Sequence, residues 1–338
     1  MIGQSHFSTL YPIDSMQQSR RRFIRQISAT ALGAAALPSL VTNAHAADSR
    51  TLRIGYQKFN TLNILKGTGN LERALQPLGW NVRWAEFAAG PQLTEALNAE
   101  ALDFGHAADT PSAFANAAGV NAVYLGAEQP YPKGIGIFVA ADSPIHSIRE
   151  LKGKKVAIGR GWNVQYLLVR ALREAGLEYG DIQPVYLTSA ADVSATYLSG
   201  NVDAAGLWDP FLAGQQLATA PRVLRDGTGL SNNRTFHLAR PDFVKQNPQV
   251  IRVLFQELAK ANAWTQSHPQ ETANLLAPQL GVRPDVLKLS TERRHYTTVA
   301  VTPDIVKEQQ DIVDTFHSLG LVKERVDVAR FVYTEIFV

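Results

Sequence analysis

The chain has 338 residues, 33 basic against 30 acidic side chains, 45% hydrophobic residues and no cysteine. The missing thiols exclude disulfides, thiolate metal sites and a cysteine nucleophile. The basic excess belongs to residues 1–46, which carry Arg20, Arg21, Arg22 and Arg25 against Asp14; the remainder holds 29 charges of each sign, which excludes the basic footprint of a nucleic-acid or membrane-surface binder.

The first pattern in chain order is Ser19-Arg20-Arg21-Arg22-Phe23-Ile24-Arg25, the arrangement of a twin-arginine export signal. A small-residue apolar run, Ala29 to Leu40, follows; it is shorter than the roughly 20 residues of a membrane helix. Ala44-His45-Ala46 supplies the small-x-small cleavage pattern. Residues 1–46 therefore read as a signal peptide marked by Arg20 and Arg21 and cut after Ala46. The product is expected to be periplasmic, without stable membrane insertion, and of a length that suits two domains.

Beyond the leader, short apolar strands alternate with amphipathic helices, which predicts an α/β protein with mostly parallel sheets. Strands are predicted at Leu52–Tyr56, Val82–Phe87, Asp103–Ala107 and Ala122–Gly126, with helices at Asn60–Lys66 and Pro91–Ala99. Thr110 as N-cap and Pro111 at the first helical position predict a third helix ending at Gly119. A second sheet is predicted to begin near Gly134, with strands at Gly136–Ala140, Lys155–Ile158, Val185–Leu187 and Ala204–Trp208. Its helices are Ser147–Leu151, Val164–Ala175 and Ala191–Leu198. After the polar run Asp226–Arg234, Phe236–Ala239 reads as a returning strand. The helical patterns Val250–Ser267, Pro269–Leu276 and Asp304–Leu319 follow.

An ordered series of segments carries a family resemblance. Ile54-Gly55-Tyr56-Gln57-Lys58, Phe87-Ala88-Ala89-Gly90-Pro91-Gln92, Asp142-Ser143-Pro144-Ile145 and Leu151-Lys152-Gly153-Lys154-Lys155-Val156-Ala157 come first. Gly200-Asn201-Val202-Asp203-Ala204, Trp208-Asp209-Pro210 and Val223-Leu224-Arg225-Asp226-Gly227-Thr228 follow in order. Together they resemble the aliphatic-sulfonate-binding proteins of ABC importers. The resemblance implies a two-lobed type II periplasmic binding protein, each lobe a mostly parallel sheet flanked by helices. Lobe one is expected at 51–130 plus 236–338 and lobe two at 131–235. It also implies a small organic anion as ligand, an ABC permease with its ATPase as partners, no cofactor and no catalysis.

Parallel sheets bind ligands beyond the carboxyl ends of their strands, where helix N-termini expose unpaired amides. Four loops meet that description. In the first, Lys58 offers positive charge, Gln57 and Thr61 neutral hydrogen bonds; Lys58 otherwise reads as an exposed strand-end lysine. The second, Asp109-Thr110, is either an anion-binding helix mouth or a helix cap. The third is Gly159-Arg160-Gly161-Trp162-Asn163, where Trp162-Asn163-Val164-Gln165 stands in place of the family's serine-rich run ending in histidine. Oxyanion donation is then expected to rest on backbone amides and Asn163. Trp162 either walls an organic tail or packs between helix and sheet. The fourth is Trp208-Asp209, where Asp209 is expected to cap a helix or hold a cation rather than touch an anion. From the resemblance, an arginine of the pair Arg293 and Arg294 is expected to reach the cleft as a clamp for a tetrahedral oxyanion, since related chains have an arginine near Arg294.

The remaining signals are negative. There is no Gly-x-Ser-x-Gly elbow, Walker loop or dinucleotide fingerprint. The histidines are scattered, which argues against a metal site, and His106 reads as structural. Alternative ligands are a sulfate ester, nitrate or another oxyanion. The alternative of another class is an enzyme like the pyrimidine synthases of thiamine biosynthesis, which use a cysteine-rich motif that this chain lacks.

Overall fold

The computed structural model describes residues 50–58, 60–333 and 335. The predicted signal segment 1–46, with Arg20, Arg21 and Ala46, lies outside the described residues. Strand β1 (Arg50–Gln57) buries Leu52, Ile54 and Tyr56, the period-two pattern of a strand covered on one face. It pairs in parallel with β2 (Trp80–Phe87) on one side and β3 (Phe104–Ala108) on the other. Helices α1 (Thr61–Thr68) and α2 (Asn70–Leu75) connect β1 to β2, and α3 (Gly90–Asn98) connects β2 to β3. Helix α4 (Asp109–Ala117) leads from β3 to β4 (Val123–Glu128).

The chain then crosses at 129–134 into a second sheet. Its elements are β5 (Ile135–Val139), β6 (Lys155–Ile158), α5 (Asn163–Glu174), β7 (Gln183–Tyr186), α6 (Ala190–Leu198), β8 (Ala204–Trp208), α7 (Phe211–Thr219) and β9 (Arg222–Asp226). A second crossing at 227–234 leads back to β10 (Thr235–Ala239). The rest is α8 (Pro241–Gln246), α9 (Pro248–Ser267), α10 (Pro269–Leu280), α11 (Pro284–Glu292), β11 (Thr298–Val299) and α12 (Pro303–Ser318). The first sheet has the order β11-β4-β10-β3-β1-β2 and the second β7-β6-β8-β5-β9.

The α/β class holds, while the sheets are mixed in direction rather than mostly parallel. Strands β2, β1 and β3 run parallel, as do β7, β6 and β8, because helices carry the chain between them. The strands beside the crossings run antiparallel: β10 with β3 and β4, β5 with β8 and β9. A chain that returns without a helical crossover arrives from the opposite end.

The two crossing segments are hydrogen bonded to each other. Tyr131 N donates to Asn232 O at 2.8 Å, Gly227 N to Pro132 O at 3.0 Å, and Asn233 Nδ2 to Tyr131 O at 2.8 Å. A Cβ on Gly227 would stand 2.7 Å from Pro132 O, so only glycine lets the segments approach this closely.

Local differences from the sequence reading have physical causes. The third helix starts at Asp109 with Ala108 in the cap position, so Thr110 and Pro111 lie inside its first turn. Ala108 offers no side-chain cap bond, and Asp109 Oδ1 accepts from the Thr110 amide at 2.6 Å. The predicted helix Ser147–Leu151 is a single 3-10 turn, Ile148–Leu151. Helices α2, α7, α8 and α11 and strands β9 and β11 were not predicted; α7 and β9 fall between Pro210 and the polar run. Among the described residues no helix is long and apolar enough to cross a membrane.

Candidate functional site

The strand ends converge on a cavity of about 60 Å³ between the two sheets. Since β1, β2 and β3 are parallel and each is followed by a helix, their helices begin at the same edge. The cavity is lined at Asn60 before α1, at Ala89 and Gly90 opening α3, and at Ala108 and Pro111 around the start of α4. The second sheet adds Trp162 and Asn163 at the start of α5. Four helix N-termini with their partial positive charge therefore border one small space. Close approach is built in: a Cβ on Gly90 would meet Pro111 at 2.5 Å.

Two cations line the cavity. Lys58, half-buried, donates from Nζ to Leu280 O at the carboxyl end of α10, at 2.9 Å. Arg294 is buried, donates to Glu128 and to Thr235 Oγ1 (2.9 Å), and lies over the Tyr131 ring at 5.2 Å. Burial alone would lower the Arg294 pKa, but Glu128 beside it raises it, so the guanidinium stays charged. Glu128 also accepts from Thr61 Oγ1 at 3.0 Å.

Arg293 does a different job. Its Nη1 reaches both Asp209 oxygens at 3.3 Å and its Nη2 donates to Gln216 Oε1 at 2.5 Å. Asp209 further accepts from Ala213 N at 3.0 Å and from Tyr131 OH. Asp209 therefore holds the first turn of α7 and an arginine together, and its charge is answered before any ligand arrives.

The aromatic wall is layered. Trp162 meets Trp208 edge to face at 4.7 Å, and Trp208 meets Phe211 at 5.6 Å. Trp162 is only 3% exposed, belongs to the core of the second sheet and also lines the cavity. A Cβ on Gly159 would sit 1.9 Å from its ring, so the glycine makes the seat for the indole. Asn163 Nδ2 donates to Asn233 Oδ1 at 2.6 Å, and Asn163 Oδ1 accepts from Val164 N at 3.0 Å.

Of the residues singled out in the sequence, Gln57, Lys58, Trp162, Asn163, Trp208, Asp209 and Arg294 line this cavity together. Thr61, Asp109, Thr110 and Gly161 do not line it. Thr61 is turned to Glu128. Asp109 is bonded to Thr110 and faces a second cavity of about 240 Å³ beside Arg234, Glu308 and Gln309. Gly161, at φ +71°, donates its amide to Gln165 Oε1 at 2.7 Å. Sequence reasoning missed Tyr131, Asn233 and Thr235, which arrive from the crossings and the returning strand, and passed over His106 as structural. Among the described residues no group of His, Asp or Glu is placed to hold a metal ion.

The burial of Asp109 has a pH consequence. Loss of hydration pushes its pKa from 3.8 up to about 6. A carboxyl raised on folding stabilises most below its unfolded value, and that contribution is lost as pH rises through about 6. A shift of this size corresponds to on the order of 3 kcal/mol. Asp109→Asn is expected to flatten the fall in stability between about pH 4 and 6 relative to the parent chain. Urea unfolding midpoints across that range check it, and parallel curves for the two proteins would contradict it.

Comparison with known proteins adds to this geometry. The NMT1/THI5-like family profile matches residues 79–272. A protein of Escherichia coli (strain K12) named as an aliphatic sulfonates-binding protein is 39% identical over 305 residues, 89% of this chain and 95% of that protein. The alkanesulfonate-binding protein SsuA from Xanthomonas axonopodis pv. citri, solved bound to MOPS, superposes with a TM-score of 0.77. It is 33% identical, with 84% of this chain and 98% of that one covered. The Escherichia coli periplasmic aliphatic sulphonate binding protein SsuA gives a TM-score of 0.76 at 37% identity, with 84% and 92% covered.

Proposed function

This chain belongs to the NMT1/THI5-like family and stands with its aliphatic-sulfonate-binding proteins, and we propose on that footing that it is the solute receptor of an ABC importer. Its cargo in this reading is an organosulfonate captured for its sulfur outside the cytoplasmic membrane. It is a binding protein rather than an enzyme, and it delivers its ligand to a permease driven by an ATPase. The twin-arginine leader, with cleavage after Ala46, supports a periplasmic location.

One observation carries the reading: four helix N-termini, Lys58 and Arg294 border the same small cavity, while its carboxylate, Asp209, is answered by Arg293. Such a space favours an anion with several acceptor oxygens. The proposed head-group contacts are Lys58, Arg294, Gln57 and the amides at the start of α5, with Trp162 and Trp208 beside the carbon body. Residues 51–130 with 236–338, and 131–235, are proposed as two lobes that close on the ligand about the paired crossings.

A thermal-shift and calorimetry panel tests this. Alkane- and arylsulfonates are expected to raise the melting temperature more than sulfate esters, nitrate or sulfate, because a ligand that binds only the native state stabilises it. Lys58→Ala should weaken sulfonate binding by about tenfold or more, since a charge-assisted hydrogen bond contributes about 1.5–3 kcal/mol. A panel in which inorganic anions stabilise best would overturn the sulfonate assignment. Wild-type affinity in Lys58→Ala would remove that residue from the site.

A further inference from the structure

We propose that His106 is a direct ligand contact: its Nδ1–H donates to an oxygen of the bound anion. The proposal rests on the sulfonate-receptor reading and assigns a donor within that site. His106 sits on β3, lines the cavity and is 2% exposed. Its Nε2 lies 3.2 Å from Gln57 N, and a backbone amide can only donate. Nε2 therefore carries the lone pair, and the proton of the neutral ring is on Nδ1. Burial, then the charges of His237 and Arg294, hold the ring neutral by lowering its pKa well below the usual value. Gln57 reciprocates with its side chain, donating from Nε2 to His106 O at 3.2 Å, so backbone and ring are held from both sides.

Nδ1 is buried and has no partner among the described residues. An unmet buried donor is costly and calls for an acceptor that the folded chain does not provide. Arg294 Nε is in the same condition: buried, on a residue lining the same cavity, and without a partner. The nearby carboxylates do not answer either group. Asp209 is taken by Ala213, Tyr131 and Arg293, and Glu128 by Thr61 and the far end of Arg294. Two unpartnered buried donors on residues that line one cavity, one neutral and one charged, match an oxyanion that brings acceptors.

Two near-isosteric variants separate this role from a structural one. Asn places an amide N–H near the ring's Nδ1 position, whereas Gln places a carbonyl near its Nε2 position. Calorimetry with ethanesulfonate is expected to show His106→Gln weakened by about tenfold or more, at a melting temperature near that of the parent. His106→Asn should stay within about threefold of the parent. The reverse order would mean that His106 serves only to hold the Gln57 amide, and would overturn the proposal, as would parental affinity in both. Nitrogen-15 NMR of the histidine-labelled parent chain decides the case where both variants weaken: the Nδ1–H resonance must shift on saturation. Ethanesulfonate binding with an unmoved Nδ1–H sinks this proposal alone. Absence of any sulfonate binding by the parent chain sinks the receptor reading and the proposal with it.

Discussion

Arg294→Met is expected to lower folding stability by about 3–5 kcal/mol and to abolish sulfonate binding, the largest combined effect of any single change at the site. The cause of the first part is Glu128, which is 1% exposed. With Arg294 gone, its carboxylate keeps Thr61 Oγ1 at 3.0 Å and the neutral ring of His237 at 3.7 Å, and no cation. Removing one partner of a buried pair leaves an uncompensated charge, which costs more than the pair itself contributes. The double variant Arg294→Met/Glu128→Gln is therefore expected to recover most of the stability. It should not recover affinity, because the donor to the anion is still missing. Urea unfolding gives the stabilities and calorimetry the affinities. A single variant as stable as the parent would show that Glu128 becomes protonated or hydrated at little cost. A double variant that binds normally would take Arg294 out of the site.

The second large effect is expected at Trp162. Trp162→Ala should cost about 3–5 kcal/mol of stability, the usual range for emptying a buried indole site. The ring is packed against Gly159 and edge to face on Trp208. Gly159→Ala should approach the same cost from the other side, since the new methyl group would occupy the space of the ring. Trp162 packs in the core and lines the cavity, so both readings made from sequence, inner packing and a wall for an organic tail, come under one test. Ligand discrimination separates their weights. At a temperature where Trp162→Ala remains folded, affinity for an arylsulfonate should fall about tenfold more than affinity for methanesulfonate. Equal losses for the two ligands would leave Trp162 with its packing role alone.

The parts of the fold that could be read from sequence are those with a local cause. Strands β1, β3, β6 and β8 are short apolar runs, β2 alternates apolar with polar residues, and α1, α3, α5 and α9 show helical periodicity beside capping residues or prolines. Strand β9, Arg222-Val223-Leu224-Arg225-Asp226, is half-exposed throughout and carries three charges, so it has little intrinsic signal. Its pairing with β5 comes from tertiary placement. Helix α7 starts straight after Pro210 and contains Gly214, which weakens its pattern.

The lining of the cavity was legible to the same degree. Residues at strand ends, such as Gln57, Lys58 and Asp209, followed from the rule that ligands sit there. Thr61 shows the limit of that rule. Asn60, the extended cap residue before α1, lines the cavity, while Thr61, the first helical residue, turns away to Glu128. Tyr131, Asn233 and Thr235 lie far from the strand-end loops in sequence, and nothing local marks them. His106 carried a signal that only geometry decodes: which of its nitrogens is already occupied.

The paired crossings have a mechanical corollary. A strip of two segments stitched edge to edge flexes across its flat face but resists twist and slip along its length, much as a door hung on two pins swings in a single arc. Asn233 belongs to that strip through Tyr131 and, by its side-chain Oδ1, accepts from Asn163 at the head of α5. The helix end that would greet the anion is thereby bolted to the pivot. In the proposed closure a swing of one half against the other carries that end along a fixed track, so the hinge rather than the chance approach of two mobile surfaces would set the geometry of capture.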